Sequence, residues 1–137
     1  MLSKVEQDYV DEFDLFDDPM DKYEHIISIG KELPPLDEKY KIDDLLVKGC
    51  QSKVWLYPYE ENGKIFFKAD SNTVITKGII AMLVNVLSDL SPQEVIEHPL
   101  GFIEAIKLHE HLSSQRSNGL TSMIKQMKAF AELYNKN

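Results

Sequence analysis

The chain has 137 residues, of which 43% are hydrophobic and 28% are charged, a balance typical of one globular domain with one core. Its 23 acidic and 15 basic side chains leave a formal net charge of −8, which argues against non-specific binding to nucleic acid or to an anionic membrane. The one cysteine, Cys50, excludes an intramolecular disulfide framework, and the usual zinc and iron–sulfur sites need several cysteines.

The N-terminal segment lacks the pattern of a targeting signal, because acidic residues begin at Glu6 and no apolar stretch follows Met1. The longest apolar run, Ile79 to Val84, is far too short to span a bilayer. We therefore expect one cytoplasmic domain over residues 1–137, with a reduced thiol and no bound metal.

Residues 1–24 hold nine acidic and two basic side chains, so they account for −7 of the net charge of −8. Apolar residues at helical spacing lie between the acids and predict a helix over residues 4–16. These residues are Val5, Tyr9, Phe13 and Phe16. We expect the acids within the N-terminal 1–18 segment to form a solvated face, and a docking surface for a basic partner is the alternative.

A second helix is predicted to start at Asp18-Pro19, where a capping aspartate precedes a proline at the first helical position. Its apolar side carries Tyr23, Ile26, Ile27 and Leu33. Pro34-Pro35 ends it. Residues 36–49 are predicted to be a loop or a short helix, because Gly49 interrupts the apolar run before Cys50.

A β-hairpin is predicted next, since residues 52–59 and 64–69 flank Asn62-Gly63, the preferred pair for a type I′ turn. Pairing about this turn sets Val54, Leu56 and Pro58 opposite Ser71, Ala69 and Phe67, on a face that should cover a helix. Pro58 is typical of an edge strand. The other face is aromatic but mixed, and we expect it to be partly exposed; it carries Trp55, Tyr57, Tyr59, Phe66 and Lys68.

Helices are predicted for the rest of the chain. Capping residues 70–73 precede a very apolar helix that runs to about Leu90, and Ser91, Pro92 and Glu94 form a capping box. A short helix over residues 101–109 follows. Ser117 is predicted to cap the last helix. Several helices and one small antiparallel sheet, segregated along the chain, indicate the α+β class.

Cys50 is the main candidate for chemistry. Gly49 allows a sharp turn before it, and Lys48 and Lys53 flank it, which favours thiolate over thiol. The alternative is a small buried hydrophobic residue, because free cysteines are often buried. Sequence reasoning leaves the two interpretations about even.

The four histidines are weaker candidates: His25, His98, His109 and His111. Their spacing relative to Cys50 matches no usual metal site, and solvated surface histidines are favoured. A Cys–His hydrolase stays open, since such partners need only be adjacent in space.

Two residues near the predicted start of the last helix stand out. Arg116 is either a cation beside a reactive sulfur or an ordinary surface arginine. Gly119 lowers helix propensity, and its presence indicates close packing of another backbone.

Five ordered motifs over about residues 19–131 resemble the SufE family of sulfur-acceptor proteins, which includes the CsdE proteins. They are Lys22-Tyr23 with Gly30 and Leu33-Pro34; Gly49-Cys50-Gln51-Ser52-Lys53-Val54-Trp55; Asp70-Ser71 with Lys77-Gly78; Leu90-Ser91-Pro92-Gln93-Glu94; and His111-Leu112 with Arg116-Ser117-Asn118-Gly119-Leu120. Asn72 and Ser114 depart from the pattern, where an acidic residue and a proline are common.

The resemblance implies a fold shared with IscU-type scaffold proteins and a role as sulfur carrier. A pyridoxal-phosphate cysteine desulfurase of the SufS or CsdA type would pass a persulfide sulfur to Cys50 and be stimulated by the transfer. An iron–sulfur scaffold complex would receive the sulfur. The cofactor belongs to the partner, so the chain would need none and would activate an enzyme rather than act as one alone.

By the same resemblance, Gly49, Gln51 and Ser52 would shape the Cys50 loop, and Asp70, Ser71 and Arg116 would lie nearby. A homodimer is possible. The alternative function is a non-catalytic module that docks to a desulfurase or to another protein while Cys50 stays inert.

Overall fold

The computed structural model describes residues 1–135, which form an α+β fold of six α-helices around one β-hairpin. The α-helices are α1 (Lys4–Phe13), α2 (Pro19–Lys31), α3 (Val74–Leu87), α4 (Pro92–Glu97), α5 (Phe102–Ala105) and α6 (Ser114–Tyr134). The strands are β1 (Val54–Glu61) and β2 (Lys64–Ser71), and short 3₁₀ turns lie at Glu38–Tyr40, Asp43–Leu45 and Leu108–His111. The predicted fold class is confirmed. No helix within residues 1–135 combines the length and the apolar character needed to cross a membrane.

The hairpin has the predicted register. Val54 pairs with Ser71 and Leu56 with Ala69. Asn62 and Gly63 have φ values of 53° and 78°, and a type I′ turn requires positive φ at both positions. The apolar face is buried against α3, as its composition predicts.

Both edges of this two-stranded sheet are partly covered by neighbouring chain. On the β1 edge, Val47 donates its N–H to the Val54 carbonyl at 2.8 Å. On the β2 edge, Ile65 donates to the Leu90 carbonyl at 2.7 Å. Each contact satisfies backbone groups that an open strand edge would leave unpaired.

Helix α3 forms the centre of the core, with eleven buried residues among its fourteen. It crosses α2 where Gly30 meets Gly78. A Cβ built on Gly30 would lie 2.6 Å from the Gly78 nitrogen, and one built on Gly78 would overlap the Ile26 carbonyl. The two helix backbones touch here because neither glycine has a side chain.

Several predicted helix boundaries are wrong. Helix α1 ends at Phe13 rather than Phe16, and α3 ends at Leu87, before Asp89 adopts a positive φ of 65°. The helix predicted over residues 101–109 is split into α5 and a 3₁₀ turn, because Lys107 has a φ of 54°. Such left-handed backbone interrupts a helix.

The N-terminus of α6 also differs from the prediction. The cap is Ser113, whose hydroxyl accepts the Arg116 N–H at 3.3 Å. Ser117 lies inside the helix, and its hydroxyl contacts His109 Nδ1 at 3.0 Å. Ser113 and Ser117 are both suitable N-cap residues, and the prediction of Ser117 was wrong.

Helix α1 is fastened to the core by Glu6, which is 1% exposed. One carboxylate oxygen accepts the Phe102 N–H at 3.0 Å, and the other accepts the Ser3 N–H at 3.0 Å. The interpretation of all the N-terminal acids as a solvated face is therefore wrong for Glu6. Its neighbours Asp8 and Asp11 are exposed, as expected.

We expect Gly78→Ala to lower the free energy of unfolding by about 2–3 kcal/mol, because the added methyl group forces α2 and α3 apart. Gly119→Ala is the matched control in another helix, since a Cβ there would lie 3.5 Å from the Cys50 sulfur, an ordinary contact. The control should be neutral or stabilising by up to about 1 kcal/mol. Urea denaturation of both variants measures the change in the free energy of unfolding. Equal losses in the two variants would contradict the close contact between α2 and α3 at Gly78.

His98 should make stability depend on pH. Burial lowers the pKa of His98, despite the nearby Glu6 carboxylate, and its Nδ1 accepts the Leu100 N–H at 3.0 Å. As the pH falls below about 6.5, the unfolded chain binds a proton at His98 before the folded chain does, so stability decreases. In His98→Asn, whose amide oxygen can accept the same N–H, urea denaturation between pH 7.5 and 5 should show a smaller decrease. If the free energy of unfolding changed with pH identically in the native chain and in the variant, the assignment of this pH dependence to His98 would be wrong.

Candidate functional site

Cys50 lies on a loop between the Asp43–Leu45 turn and β1. Gly49, just before it, has a φ of 92°, which L-residues with a side chain rarely adopt. A Cβ on Gly49 would also overlap the Ser122 hydroxyl on α6. Glycine at this position therefore lets the loop lie directly against α6.

The Cys50 sulfur is half-buried against the backbone of α6. Its thiol donates to the Gly119 carbonyl at a sulfur–oxygen distance of 3.6 Å. Gly119 was predicted to pack against another backbone, and this is wrong: the neighbour within 4 Å of its missing Cβ is the sulfur of Cys50. A Cβ there would lie at ordinary contact distance from the sulfur, so the packing does not require glycine at this position.

Burial raises the pKa of the Cys50 thiol. The direction is opposite to the one expected from the flanking Lys48 and Lys53, whose side chains are exposed. An ammonium group in water is well solvated and screened, whereas desolvation acts directly on the sulfur. In this conformation Cys50 is held as a thiol.

A cavity of about 160 Å³ opens beside the sulfur. Its wall combines polar side chains from the loop and from the start of α6 with two apolar residues of α3 and α6. It is lined by Cys50, Gln51, Ser52, Thr76, Ile79, Ser113, Gln115, Arg116, Gly119 and Met123. Gln51 and Ser52, which were predicted to shape the loop, and Arg116, which was predicted to lie nearby, all line this cavity.

Arg116 lies in the first turn of α6, and its guanidinium Nη1 donates to the Tyr23 hydroxyl of α2 at 3.4 Å. The guanidinium therefore has a partner on a third element of the fold. Sequence reasoning did not connect Tyr23 to the site, because 93 residues separate the two. In the sequence, the only indication of a role for Tyr23 was its position in the Lys22-Tyr23 motif, which lies in the first half of α2.

Ser52 ties the loop to the beginning of α3. Its hydroxyl oxygen accepts from the Thr73 hydroxyl at 3.0 Å and lies 3.5 Å from the Thr76 hydroxyl. One residue further on, the Lys53 N–H donates to the Asn72 side-chain oxygen at 3.0 Å. The C-terminal half of the loop is thus anchored by hydrogen bonds.

Asp70 and Ser71 do not line the cavity. Asp70 is 8% exposed and lies 3.2 Å from the Lys41 ammonium and 3.4 Å from that of Lys77. Burial disfavours its ionisation, but the Ser71 N–H and the two lysines outweigh that effect and lower the pKa of Asp70. These contacts join β2 to α3 and to the segment before β1, so the structure places both residues outside the cavity.

The four histidines do not line the cavity beside the sulfur. Over residues 1–135 no carboxylate lines it either, and His109 instead contacts Ser117. Within residues 1–135 no group of three or more histidine, cysteine or acidic side chains is arranged to hold a metal ion. A Cys–His hydrolase would need a base within hydrogen-bond reach of Cys50, and the described part of the chain has a carbonyl there.

Residues 7–131 match the family model SufE, described as an Fe–S metabolism associated domain. An uncharacterised SufE-like protein of Synechocystis is 36% identical over 89% of this chain and 77% of its own length. One from Rhizobium meliloti is 35% identical over 90% of this chain and 91% of its own length.

One further relative and one solved structure extend the comparison. The Arabidopsis thaliana SufE-like protein 1, chloroplastic/mitochondrial, is 37% identical over 89% of this chain, which spans 33% of that longer protein. The solution structure of a hypothetical protein from Thermus thermophilus has a TM-score of 0.78 and 19% identity, and the match covers 98% of both chains. At that identity the likeness shows the fold alone. The family match and the relatives show that this chain belongs to the SufE family, whose domain is associated with iron–sulfur metabolism.

Proposed function

We propose that this chain is a sulfur carrier whose Cys50 accepts the terminal sulfur of a persulfide on a cysteine desulfurase. The sulfur then passes to a scaffold complex for iron–sulfur cluster assembly. The observation that carries the proposal is the cavity beside the Cys50 sulfur in a SufE-family chain. Its volume of about 160 Å³ far exceeds the roughly 10–15 Å³ that admits one water molecule, so it has room for a second sulfur atom.

The transfer balances without an outside oxidant or reductant. The Cys50 thiolate attacks the terminal sulfur of the partner's persulfide and forms a new S–S bond. The partner's own S–S bond breaks, and its cysteine leaves as a thiolate that takes up the proton lost by Cys50. Pyridoxal phosphate acts in the desulfurase, and this chain needs no cofactor for its step.

The resting contact with Gly119 has to break before transfer. A thiolate has no proton to donate, and the partial negative charge of the carbonyl oxygen repels it. Docking of the desulfurase would therefore draw the sulfur out of its half-buried position, where its pKa is raised. In the resting state, the same burial shields the thiol or its persulfide from oxidants and from other thiols.

Arg116 is proposed to stabilise the anionic forms of the sulfur. Among the residues that the structure describes, it is the one cationic side chain that lines the cavity, and guanidinium stays charged at any physiological pH. Its contact with Tyr23 holds it at the cavity wall. Gln51 and Ser52 are proposed to shape the loop rather than to react.

The alternative is a docking module in which Cys50 is inert. One observation favours it: burial raises the pKa of Cys50, as expected for a structural cysteine. That interpretation does not explain the cavity beside the Cys50 sulfur. A cytoplasmic location and a homodimer stay predictions, and the Arabidopsis relative is named as chloroplastic or mitochondrial.

We expect Cys50→Ser to abolish stimulation of a SufS- or CsdA-type desulfurase, because the hydroxyl cannot accept the sulfur. Incubation of the native chain with desulfurase and L-cysteine should add about 32 Da, removable by a thiol reductant and absent in the variant. Mass spectrometry and sulfide release measure the two effects. Full stimulation by the variant would overturn the proposal.

A relocated thiol supplies the matched control. Ser114 is exposed at the start of α6 and does not line the cavity. Cys50→Ser combined with Ser114→Cys keeps one thiol per chain but moves it off the loop. We expect little stimulation from this double variant, since the geometry of the loop, and not the presence of a thiol, determines transfer.

Alkylation separates the carrier from the docking module. Because burial raises the pKa of Cys50, iodoacetamide should modify the folded chain more slowly than the urea-unfolded chain at pH 7–8. The pH at which the modification rate reaches half its maximum should also be higher for the folded chain. The fully alkylated chain should refold and fail to stimulate the desulfurase. Retained stimulation after complete alkylation would favour the docking module.

A further inference from the structure

Arg116 carries a positive charge that no acidic side chain neutralises at the wall of the cavity beside Cys50. Within residues 1–135 its guanidinium forms no ion pair with a carboxylate. Its partner is the Tyr23 hydroxyl, which accepts from Nη1 at 3.4 Å. A phenol hydroxyl is uncharged at neutral pH. Tyr23 can therefore orient the guanidinium, whereas a carboxylate partner would also cancel much of its charge.

The contact between Tyr23 and Arg116 joins two helices whose main packing partners differ. Helix α2 packs mainly on α3, and α6 packs mainly on α4. Tyr23 is partly buried against the core, and its helix is held to α3 where Gly30 meets Gly78. The hydroxyl thus offers Arg116 a point of attachment outside α6.

The guanidinium needs such an attachment, because the backbone of α6 does not fix its position. The Arg116 N–H donates to the Ser113 hydroxyl at 3.3 Å, which orders the first turn of the helix. Several rotatable bonds still separate this backbone from the guanidinium. Ordering a long side chain during a reaction costs conformational entropy, and a group held in place beforehand avoids that cost.

The charge of Arg116 can act on an atom inside the cavity more readily than on the resting thiol. Burial raises the pKa of the Cys50 thiol, and among the described residues no cation opposes that rise. A sulfur added to Cys50 would lie about 2 Å further on, in the open cavity that Arg116 lines. Apart from Cys50 and Arg116, the described residues that line this cavity have no titratable side chain. The terminal sulfur of a persulfide is therefore the anion within reach of this cation.

We infer that Tyr23 is a positioning residue for sulfur transfer, which holds the Arg116 guanidinium toward the terminal sulfur of the Cys50 persulfide. This inference rests on the proposed function and adds a residue of α2 to it. When the terminal sulfur is anionic, a fixed cation beside it favours the chain that is loaded with sulfur.

The alternative is a hydrogen bond that only joins α2 to α6, and Tyr134 supplies a matched control for it. The Tyr134 hydroxyl donates to the Pro58 carbonyl at 3.4 Å and joins the other end of α6 to β1. Tyr134 does not line the cavity. Tyr134→Phe therefore removes the same atom as Tyr23→Phe, from a hydrogen bond of the same length.

The test measures the pH dependence of alkylation in the full chain, with and without a sulfur on Cys50. An aromatic disulfide first forms a mixed disulfide with the Cys50 thiolate, and hydrosulfide then displaces the aryl thiolate and leaves the persulfide. Mass spectrometry checks the added sulfur. The sulfur anion is the form that reacts with iodoacetamide, so the pH of half-maximal rate reports its stability in the loaded and in the unloaded chain.

In the loaded chain, we expect Tyr23→Phe to raise the pH of half-maximal rate by about half a pH unit, because the guanidinium is held less well near the anion. In the unloaded chain, the same variant should leave this pH unchanged. A loss of packing would alter the burial of Cys50 and shift both chains. Tyr134→Phe should shift neither.

Arg116→Gln determines whether Tyr23 acts through the guanidinium. In the loaded chain, this variant should raise the pH of half-maximal rate by more than Tyr23→Phe does. Adding Tyr23→Phe to it should change nothing further, since the group that Tyr23 holds is gone. The positioning role is wrong if Tyr23→Phe leaves the loaded chain unchanged, shifts both chains equally, or has the same effect in the Arg116→Gln background.

The loading reaction uses no desulfurase, so this inference can be separated from the proposed function. If a desulfurase fails to transfer sulfur to Cys50 but Tyr23→Phe shifts only the loaded chain, the contact with the terminal sulfur stands without the carrier role. If the desulfurase loads Cys50 and Tyr23→Phe has no effect, the positioning role is wrong and the carrier role stands.

Discussion

The architecture of the site depends on the close approach of the Cys50 loop to the backbone of α6. Gly49 permits it, because it has no side chain to meet Ser122, whereas a Cβ on Gly119 would make only an ordinary 3.5 Å contact with the sulfur. The resulting 3.6 Å contact between the thiol and the Gly119 carbonyl sets the burial of the sulfur and therefore its raised pKa. It also opens the cavity toward Arg116 at the start of the same helix.

Under the proposed function, the position of the loop against α6 places two demands on Cys50. A carrier has to protect its sulfur between partners, and it has to expose a thiolate to each of them. Half-burial against a carbonyl meets the first demand and opposes the second, so binding of a partner has to supply the free energy of release. A docking surface separate from the loop would provide that free energy without burying Cys50 more deeply.

Features set by local sequence were predictable, and those set by distant contacts were not. Asn62-Gly63 determined the hairpin register down to the pairing of Leu56 with Ala69, because turn geometry and side-chain alternation act within a few residues. The family motifs indicated Cys50 and the loop around it. The burial of Glu6, however, depends on the backbone of Phe102, 96 residues away. The direction of the Cys50 pKa shift likewise depends on packing against α6 and could not be inferred from neighbouring lysines.

The hydrogen bond between Val47 and Val54 has a mechanical consequence for the thiol. It closes residues 48–53 into a short loop whose base belongs to the sheet, and Ser52 and Lys53 are hydrogen-bonded to residues 72–76, so residues 48–51 can lift while β1 stays paired. Cys50 is three residues from Val47, and a fully extended chain spans about 3.3–3.6 Å per residue, which keeps the Cys50 Cα within about 10 Å of that of Val47. Under the proposed function, a partner's reacting sulfur has to come within reach of this tether, and the length of the tether sets how deep a catalytic pocket Cys50 can enter.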